Sequence, residues 1–247
     1  MVARALSHAA GSGIGEAQKP QLGRLIRGAA VLTLLVTLLR LFGELQGWSE
    51  RFFSRAPGGP WSLVGIVWLV PVFGLFFGWK LAQLEYRPPS ALRAVGICLL
   101  ALAVVVVAIV CLRLLHPGPV GQVLTISGAG VVAALIGLRA WPELGSVMLT
   151  YGLMARVPVV VVYLLAFLRN WGTHYDAVPP GWPAMSVWWK FVTLGLVPQL
   201  TIWIAFTIVV GTLFGLPGAV LLRKNTELEV AHQILDAVER SRKKVRT

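Results

Sequence analysis

The segment 169–183, RNWGTHYDAVPPGWP, carries residue types that do chemistry in proteins. His174 and Asp176 lie two residues apart, so in an extended segment their side chains point to the same side. An imidazole beside a carboxylate acts as a base with its orienting partner, or the two share a metal ion. This segment is therefore the first candidate site.

A complete site at this segment requires a third group. Zinc takes at least three protein ligands, and the other histidine expected on the same side of a membrane is His116. The sequence contains no HExxH and no Cys-x-x-Cys. We therefore predict no catalytic set, no metal and no cofactor. Two alternatives stay open. His174, Tyr175 and Asp176 are candidate binding residues, or Asn170, Asp176 and the Pro-Pro-Gly turn at 179–181 simply fold the loop onto the outer ends of the bundle.

Arg156 is the second candidate, because a charge in hydrocarbon costs several kcal/mol unless it is paired or hydrated. Pro158 follows two residues later and frees the carbonyl of Met154, which a guanidinium can reach. Three interpretations stay open. Arg156 binds broken-helix carbonyls inside the protein, contacts an anion or another substrate, or lies at the edge of a shorter apolar run.

Arg40 and Glu44 form the third candidate group. Their i,i+4 spacing places both on one face of a helix and predicts an ion pair near the end of the first apolar run. The same face continues through Thr37 and Thr33, small residues that suit close helix packing. The alternative partner of Glu44 is Arg156.

The elements that position these residues follow from composition. Hydrophobic residues make up 57% of the 247 residues and charged residues 13%, against roughly a quarter charged in soluble domains. A bilayer core requires about 20 apolar helical residues, and six stretches qualify: 28–45, 60–79, 94–115, 120–138, 145–168 and 188–214. The predicted fold class is all-α, a polytopic bundle of about six transmembrane helices. For 145–155 the alternative is an interfacial or re-entrant piece.

Basic residues predict how the chain is threaded. Most lysines and arginines fall in the two tails and in the second and fourth loops, and the other side keeps Arg51, Arg55, Arg113, Arg169 and Lys190. The positive-inside rule therefore places both termini in the cytoplasm and segment 169–183 outside. Trp79 and Trp141 are expected at the inner interface. Short loops and the lack of a transit peptide favour a bacterial inner membrane.

Three regions follow from this threading: a flexible cytoplasmic tail at 1–27, a six-helix transmembrane domain at 28–214, and a cytoplasmic amphipathic helix with a basic tail at 215–247. FGLPG at 214–218 is predicted to break or hinge the last span, and Thr226 with Glu229 has capping-box spacing. The expected partners are the lipid bilayer, with anionic lipid at the cytoplasmic face, and a protein or a second copy bound through the C-terminal helix. Nucleic acid is not expected.

Small residues predict where helices approach closely. Two Gly-x-x-x-Gly pairs occur, at Gly74 with Gly78 and at Gly211 with Gly215, and Ser127, Gly128 and Gly130 cluster in the fourth stretch. Such residues let helix backbones come together in a membrane.

Three classes of function stay open. Sparse charges favour a non-enzymatic scaffold, assembly partner or sensor. A small-molecule carrier or channel requires Arg156, Glu44 and Tyr151 to line one cavity. A membrane enzyme at the outer face requires His174 and Asp176 to converge with a third group, such as His116 or Arg51.

Overall fold

The computed structural model describes residues 19–57 and 64–220. Helices account for 76% of these residues, and none of them lies in a strand. Six helices are long and apolar enough to cross a membrane. The all-α class and the six predicted apolar helices are therefore confirmed, and the pattern is that of a multi-pass membrane protein. Residues 1–18 and 221–247, which include most of the predicted cytoplasmic helix, lie outside the described residues.

The six helices run in chain order as α1 to α6. Their bounds are α1 Lys19–Leu45, α2 Leu69–Gln83 after a 3₁₀ turn at Ile66–Trp68, α3 Ala91–Leu115, α4 Pro119–Gly137, α5 Pro142–Arg169 and α6 Val187–Val220. Two long loops, after α1 and after α5, lie at the same end of the bundle, which we call the long-loop end.

Local signals in the sequence set the helix ends. Ser90 and Ser186 cap α3 and α6, each accepting a hydrogen bond from the backbone N–H of the third helical residue. Pro119 and Pro142 occupy the first positions of α4 and α5, where the missing N–H has no intrahelical partner in any case. Asn170 ends α5 with φ at 50°, a conformation that asparagine tolerates.

Two boundaries differ from the prediction. Helix α1 begins at Lys19 rather than at 28, because Leu22 and Ile26 are buried in the core despite the arginines between and after them. Helix α6 continues to Val220, so the break predicted at 214–218 is wrong. Packing explains the continuation, since Gly215 and Gly218 lie against the backbone of α2.

The re-entrant alternative for 145–155 is wrong, because this stretch belongs to one continuous helix. Helix α5 is continuous over 28 residues, and Gly145 lies in its second turn. Trp141, just before α5, is fully buried rather than interfacial, because it packs in the core with Leu144 and Met148. Hydropathy alone misjudged this stretch, because the polar residues at the start of α5 lower its average.

Helices α1 and α5 pack against each other along their length. Their buried polar side chains pair directly, since the Thr33 and Tyr151 hydroxyls are 2.8 Å apart. The ring of Tyr151 also packs edge-on against Phe73 of α2, with 5.0 Å between ring centroids. The small-residue face predicted on α1 is thus in contact with α5.

The two Gly-x-x-x-Gly pairs face each other. A Cβ placed on Gly74 would overlap the carbonyl oxygen of Gly211, and one on Gly78 would overlap that of Gly215. Helices α2 and α6 therefore run parallel in backbone contact, which confirms the close approach predicted for both motifs. In α4, Gly130 is likewise close to Ile202 of α6.

The close approach predicted at Gly128 is not present among the described residues. A Cβ placed there would meet nothing within 4 Å, so this glycine does not mediate close packing. Helix periodicity explains the difference, because Gly128 and Gly130 are two residues apart and point in different directions.

Substitution Gly78→Ala tests the glycine contact. The added methyl group has to push α2 away from α6, and overpacking of this kind typically costs about 1–3 kcal/mol in the free energy of unfolding. Gly96→Ala is the matched control, because its Cβ would meet nothing and alanine is the better helix former by about 1 kcal/mol. Unfolding in mixed detergent micelles measures both. Equal stability of the two variants would contradict the contact.

Candidate functional site

Glu44 is the centre of the polar structure at the long-loop end. Its side chain is completely buried and accepts three hydrogen bonds. Arg40 Nε donates to Oε1 at 2.9 Å, His174 Nδ1 lies 2.5 Å from the same oxygen, and the backbone N–H of His174 donates to Oε2 at 2.9 Å. The Arg40–Glu44 ion pair predicted from spacing is present, and Glu44 does not pair with Arg156.

The loop after α1 folds back onto the same residue. Arg55 donates through Nε and Nη2 to the backbone carbonyl of Glu44, with the Nε contact at 2.8 Å. Arg40 Nη2 in turn donates to the carbonyl of Ser54 at 3.4 Å. A basic side chain thus satisfies a carbonyl at the last turn of α1, where the helix dipole favours positive charge.

Asp176 holds the second loop in shape. Its carboxylate accepts hydrogen bonds from the backbone N–H groups of Gly172 and Thr173, at 2.8 and 2.7 Å, and from the Thr173 hydroxyl at 2.7 Å. A carboxylate that binds its own backbone in this way closes a turn. Asp176 therefore shapes the loop, and its oxygens do not hydrogen-bond to His174.

The same turn directs His174 and Tyr175 into the protein. Burial lowers the pKa of His174, and the Glu44 carboxylate opposes that effect. The imidazole is therefore neutral at pH 7 with its proton on Nδ1, facing Glu44. Burial also raises the pKa of Tyr175, whose hydroxyl donates to the carbonyl of Thr37 at 3.5 Å. The Tyr175 ring packs edge-on against Tyr163 of α5, with centroids 5.3 Å apart.

Arg156 lies near the middle of α5 with only 3% of its surface exposed. It donates from Nη1 to Gln199 Oε1 of α6 at 3.2 Å, and its guanidinium stacks over the Trp203 ring at 4.8 Å. These contacts replace the Met154 carbonyl suggested by the sequence. In the described part of the chain no carboxylate forms an ion pair with Arg156.

The α6 residues opposite Arg156 come from an irregular stretch. Residues Phe191–Leu196 form a π-helical segment, and the backbone bends at Thr201, where φ is −116° and ψ is −77°. Gly195 within this segment lies close to the ring of Tyr163. Such segments are frequent at functional sites, because they re-aim side chains within a helix. Here they bring Gln199 and Trp203 to face α5.

A cavity of about 60 Å³ lies between α1, α5, α6 and the loop after α5. Its polar lining comprises Arg40, Arg156, His174, Tyr163, Tyr175 and Gln199, and Trp203 forms part of the apolar wall. The candidate residues of three separate sequence segments thus share one space. Neither Tyr151, whose hydroxyl is bound to Thr33, nor Glu44 lines the cavity. The set of Arg156, Glu44 and Tyr151 expected for a carrier or channel is therefore not brought together, and a solute site at this cavity has to rest on Arg156 with the other lining groups.

The groups expected beside His174 for an enzyme do not converge on it. The His116 ring lies 3.3 Å from the carbonyl of Leu114 at the exposed end of α3, and Arg51 is exposed on the first loop. Within residues 19–57 and 64–220, no group of three His, Cys, Asp or Glu side chains could hold a metal ion.

Three residues of the site were not anticipated. Gln199, Trp203 and Tyr163 line the cavity, yet none was singled out from the sequence. The sequence does indicate Gln199 as a candidate, because it is an uncharged polar residue inside an otherwise apolar stretch and lies next to Pro198.

Comparison with known proteins supplies no further assignment. No family model, curated protein or solved structure matches the chain. Function is therefore argued from the site alone.

Substitution Glu44→Gln tests the centre of the site. The glutamine amide is uncharged, so it no longer balances the charge of Arg40. Its NH₂ group also faces an N–H donor of His174, and two donors do not hydrogen-bond to each other. Breaking a buried pair from one side costs about 3–5 kcal/mol, so we expect a loss of this order in the free energy of unfolding.

Glu50→Gln is the matched control for this substitution, because Glu50 is exposed on the loop that follows. We expect no change beyond about 0.5 kcal/mol for that variant. A thermal unfolding series in detergent compares the two variants. Similar melting temperatures would show that the Glu44 network does not stabilise the fold.

Proposed function

We propose that this chain is a non-enzymatic carrier of the bacterial inner membrane, with both termini in the cytoplasm, that binds a small anionic solute in the cavity beside Arg156. One observation carries the proposal, namely a guanidinium buried in the middle of an apolar helix with no carboxylate partner among the described residues. An unbalanced charge at that depth is costly, and intramembrane ionisable residues commonly mark substrate pathways. A bound anion would supply the missing charge.

The shape of the surrounding helices supports a carrier rather than a purely structural role. Pro158 lies one half-turn from Arg156 in α5, and α6 is irregular across the cavity. Carriers commonly bind solutes near the midplane between helices whose regular hydrogen bonding is interrupted. Two such helices meet at this cavity.

A scaffold or assembly partner, favoured by the sequence, remains the second candidate function. Its support is α3, the most apolar helix, with a mean hydropathy of 3.3 and only 17% of its most apolar stretch buried. Much of α3 is therefore available to lipid or to another protein. That function would not depend on Arg156.

The substitution Arg156→Gln tests the carrier. Proteoliposomes containing valinomycin are placed in potassium salts of anions ranging from formate and nitrate to gluconate, and swelling is followed by light scattering. We expect at least one salt to swell wild-type vesicles faster than protein-free vesicles, and Arg156→Gln to return the rate to the protein-free level. The loss follows from removal of the one charge that would balance the solute.

Arg169→Gln is the matched control, since Arg169 is exposed at the end of the same helix. It should swell like the wild-type protein. Identical rates for wild type and Arg156→Gln in every salt would refute the carrier. A loss of about 3 kcal/mol or more in the stability of Arg156→Gln would instead assign a structural role to the charge.

Cysteine labelling tests the proposed orientation. With Cys98 and Cys111 replaced, single cysteines at Ala177 and Ala231 are exposed to a membrane-impermeant thiol reagent on intact cells. We expect labelling at 177 alone, because the positive-inside rule places the loop after α5 outside. Labelling at 231 alone would reverse the orientation.

A further inference from the structure

We propose that the cavity selects a monovalent oxyanion of about three to five heavy atoms, a class that includes formate, nitrate, bicarbonate and acetate. This inference rests on the proposed function in so far as both place the solute beside Arg156. It adds the charge and the size of the solute, and it concerns binding rather than movement across the membrane.

The buried side chains around the cavity carry a net charge of +1, which one negative charge would neutralise. Arg40 and Arg156 contribute two positive charges, and Glu44, bound to Arg40, contributes one negative charge. Burial lowers the pKa of His174, so the ring adds no charge to this sum at pH 7.5, and its Nδ1 faces Glu44. One positive charge is left over, so a monovalent anion brings the buried set to neutrality, whereas a divalent anion would leave an excess negative charge in an apolar surrounding.

Asp176 and Arg55 do not alter this balance. Asp176 is partly exposed and accepts its hydrogen bonds from its own loop, and Arg55 is exposed and binds a backbone carbonyl. Solvent screens both groups far more effectively than the buried set. Their opposite charges also offset each other at the rim.

Hydrogen-bonding capacity favours an oxyanion over a halide. A guanidinium has five N–H donors in a planar fork that matches two oxygens of a carboxylate or nitrate. Arg156 donates from Nη1 to Gln199, and one face of its guanidinium lies over the Trp203 ring. The remaining N–H donors, in the plane of the guanidinium, are available to a ligand. Arg40 uses Nε and Nη2 for Glu44 and Ser54, which leaves Nη1 as a further donor.

Volume sets the upper limit on size. A cavity needs about 10–15 Å³ by this measure to hold one water, so about 60 Å³ corresponds to roughly four waters. A planar anion of three to five heavy atoms fits this space. Gluconate, with its polyhydroxy chain, does not.

The cost of desolvation also favours a monovalent anion over a divalent one. The penalty for moving an ion out of water rises steeply with its charge, and here only the one unbalanced positive charge of Arg156 is available to offset it. Sulfate and phosphate dianions therefore lose more hydration than the cavity replaces. The neutral donors nearby, such as the hydroxyl of Tyr163, add hydrogen bonds without adding charge.

Thermal unfolding of the full-length protein in detergent tests the inference. Potassium gluconate at pH 7.5 provides constant ionic strength, and it is replaced stepwise by formate, nitrate or sulfate. We expect formate and nitrate to raise the Tm saturably by about 5 °C, as a ligand that binds only the folded state does. Arg156→Gln should lose this rise. Arg156→Lys should need about tenfold more anion for half the effect, because an ammonium does not bind two oxygens in parallel.

Sulfate provides the internal control. It stabilises proteins generally by exclusion from their surfaces, so a rise in Tm with sulfate should be equal in the wild type and in Arg156→Gln. An Arg156-dependent rise with sulfate, or equal shifts with formate and nitrate in wild type and variant, would overturn the inference. If Arg156→Gln does not fold, the Arg156→Lys titration decides, and an unchanged midpoint concentration overturns the inference.

The two proposals fail in different ways. Arg156-dependent stabilisation by formate with no swelling of proteoliposomes supports this inference and removes the carrier. Arg156-dependent swelling restricted to divalent or larger anions supports the carrier and removes the inference.

Discussion

A carboxylate buried at the end of an apolar helix must be fully paired, and the long-loop end of this protein is organised around that requirement at Glu44. One oxygen accepts from Arg40 in its own helix and from the ring of His174, and the other accepts from the backbone of the loop after α5. The carbonyl of the same residue accepts from Arg55 in the loop after α1. Two loops distant in sequence are thereby tied to one residue.

This pairing determines where the remaining charge lies. Because the Glu44 carboxylate is engaged by Arg40 and His174, it does not serve as the anionic partner of Arg156. Arg156 instead has a neutral amide and an aromatic face, which orient the guanidinium without neutralising it. Arg156 is thus positioned without being neutralised, and this is the observation on which the proposed anion binding rests.

The sequence predicted the elements better than the contacts between them. Six apolar helices and the ion pair at i,i+4 follow from periodicity and spacing, which are local. The two glycine pairs were found as motifs, but nothing local showed that Gly74 and Gly211 face each other. His174 and Asp176 looked like a pair because they are adjacent in sequence, whereas Asp176 closes its own turn and His174 reaches a helix 130 residues away. Tertiary packing decides such partners, and a single sequence does not contain it.

The bundle divides into two halves with different packing. Away from the long-loop end, α2 and α6 are in backbone contact at Gly78 and Gly215, and a separate apolar cavity of about 110 Å³ lies between α3, α4 and α6. Toward the long-loop end, beyond the bend at Thr201, α6 is irregular and a cavity replaces direct contact. The elements next to the proposed solute site are therefore the irregular stretch of α6 up to Thr201 and the loop after α5. The Glu44 hydrogen bonds and the apolar packing of Tyr175 and Trp171 near Leu41 and Tyr163 together hold that loop against α1 and α5, so any rearrangement of the loop has to break both kinds of contact.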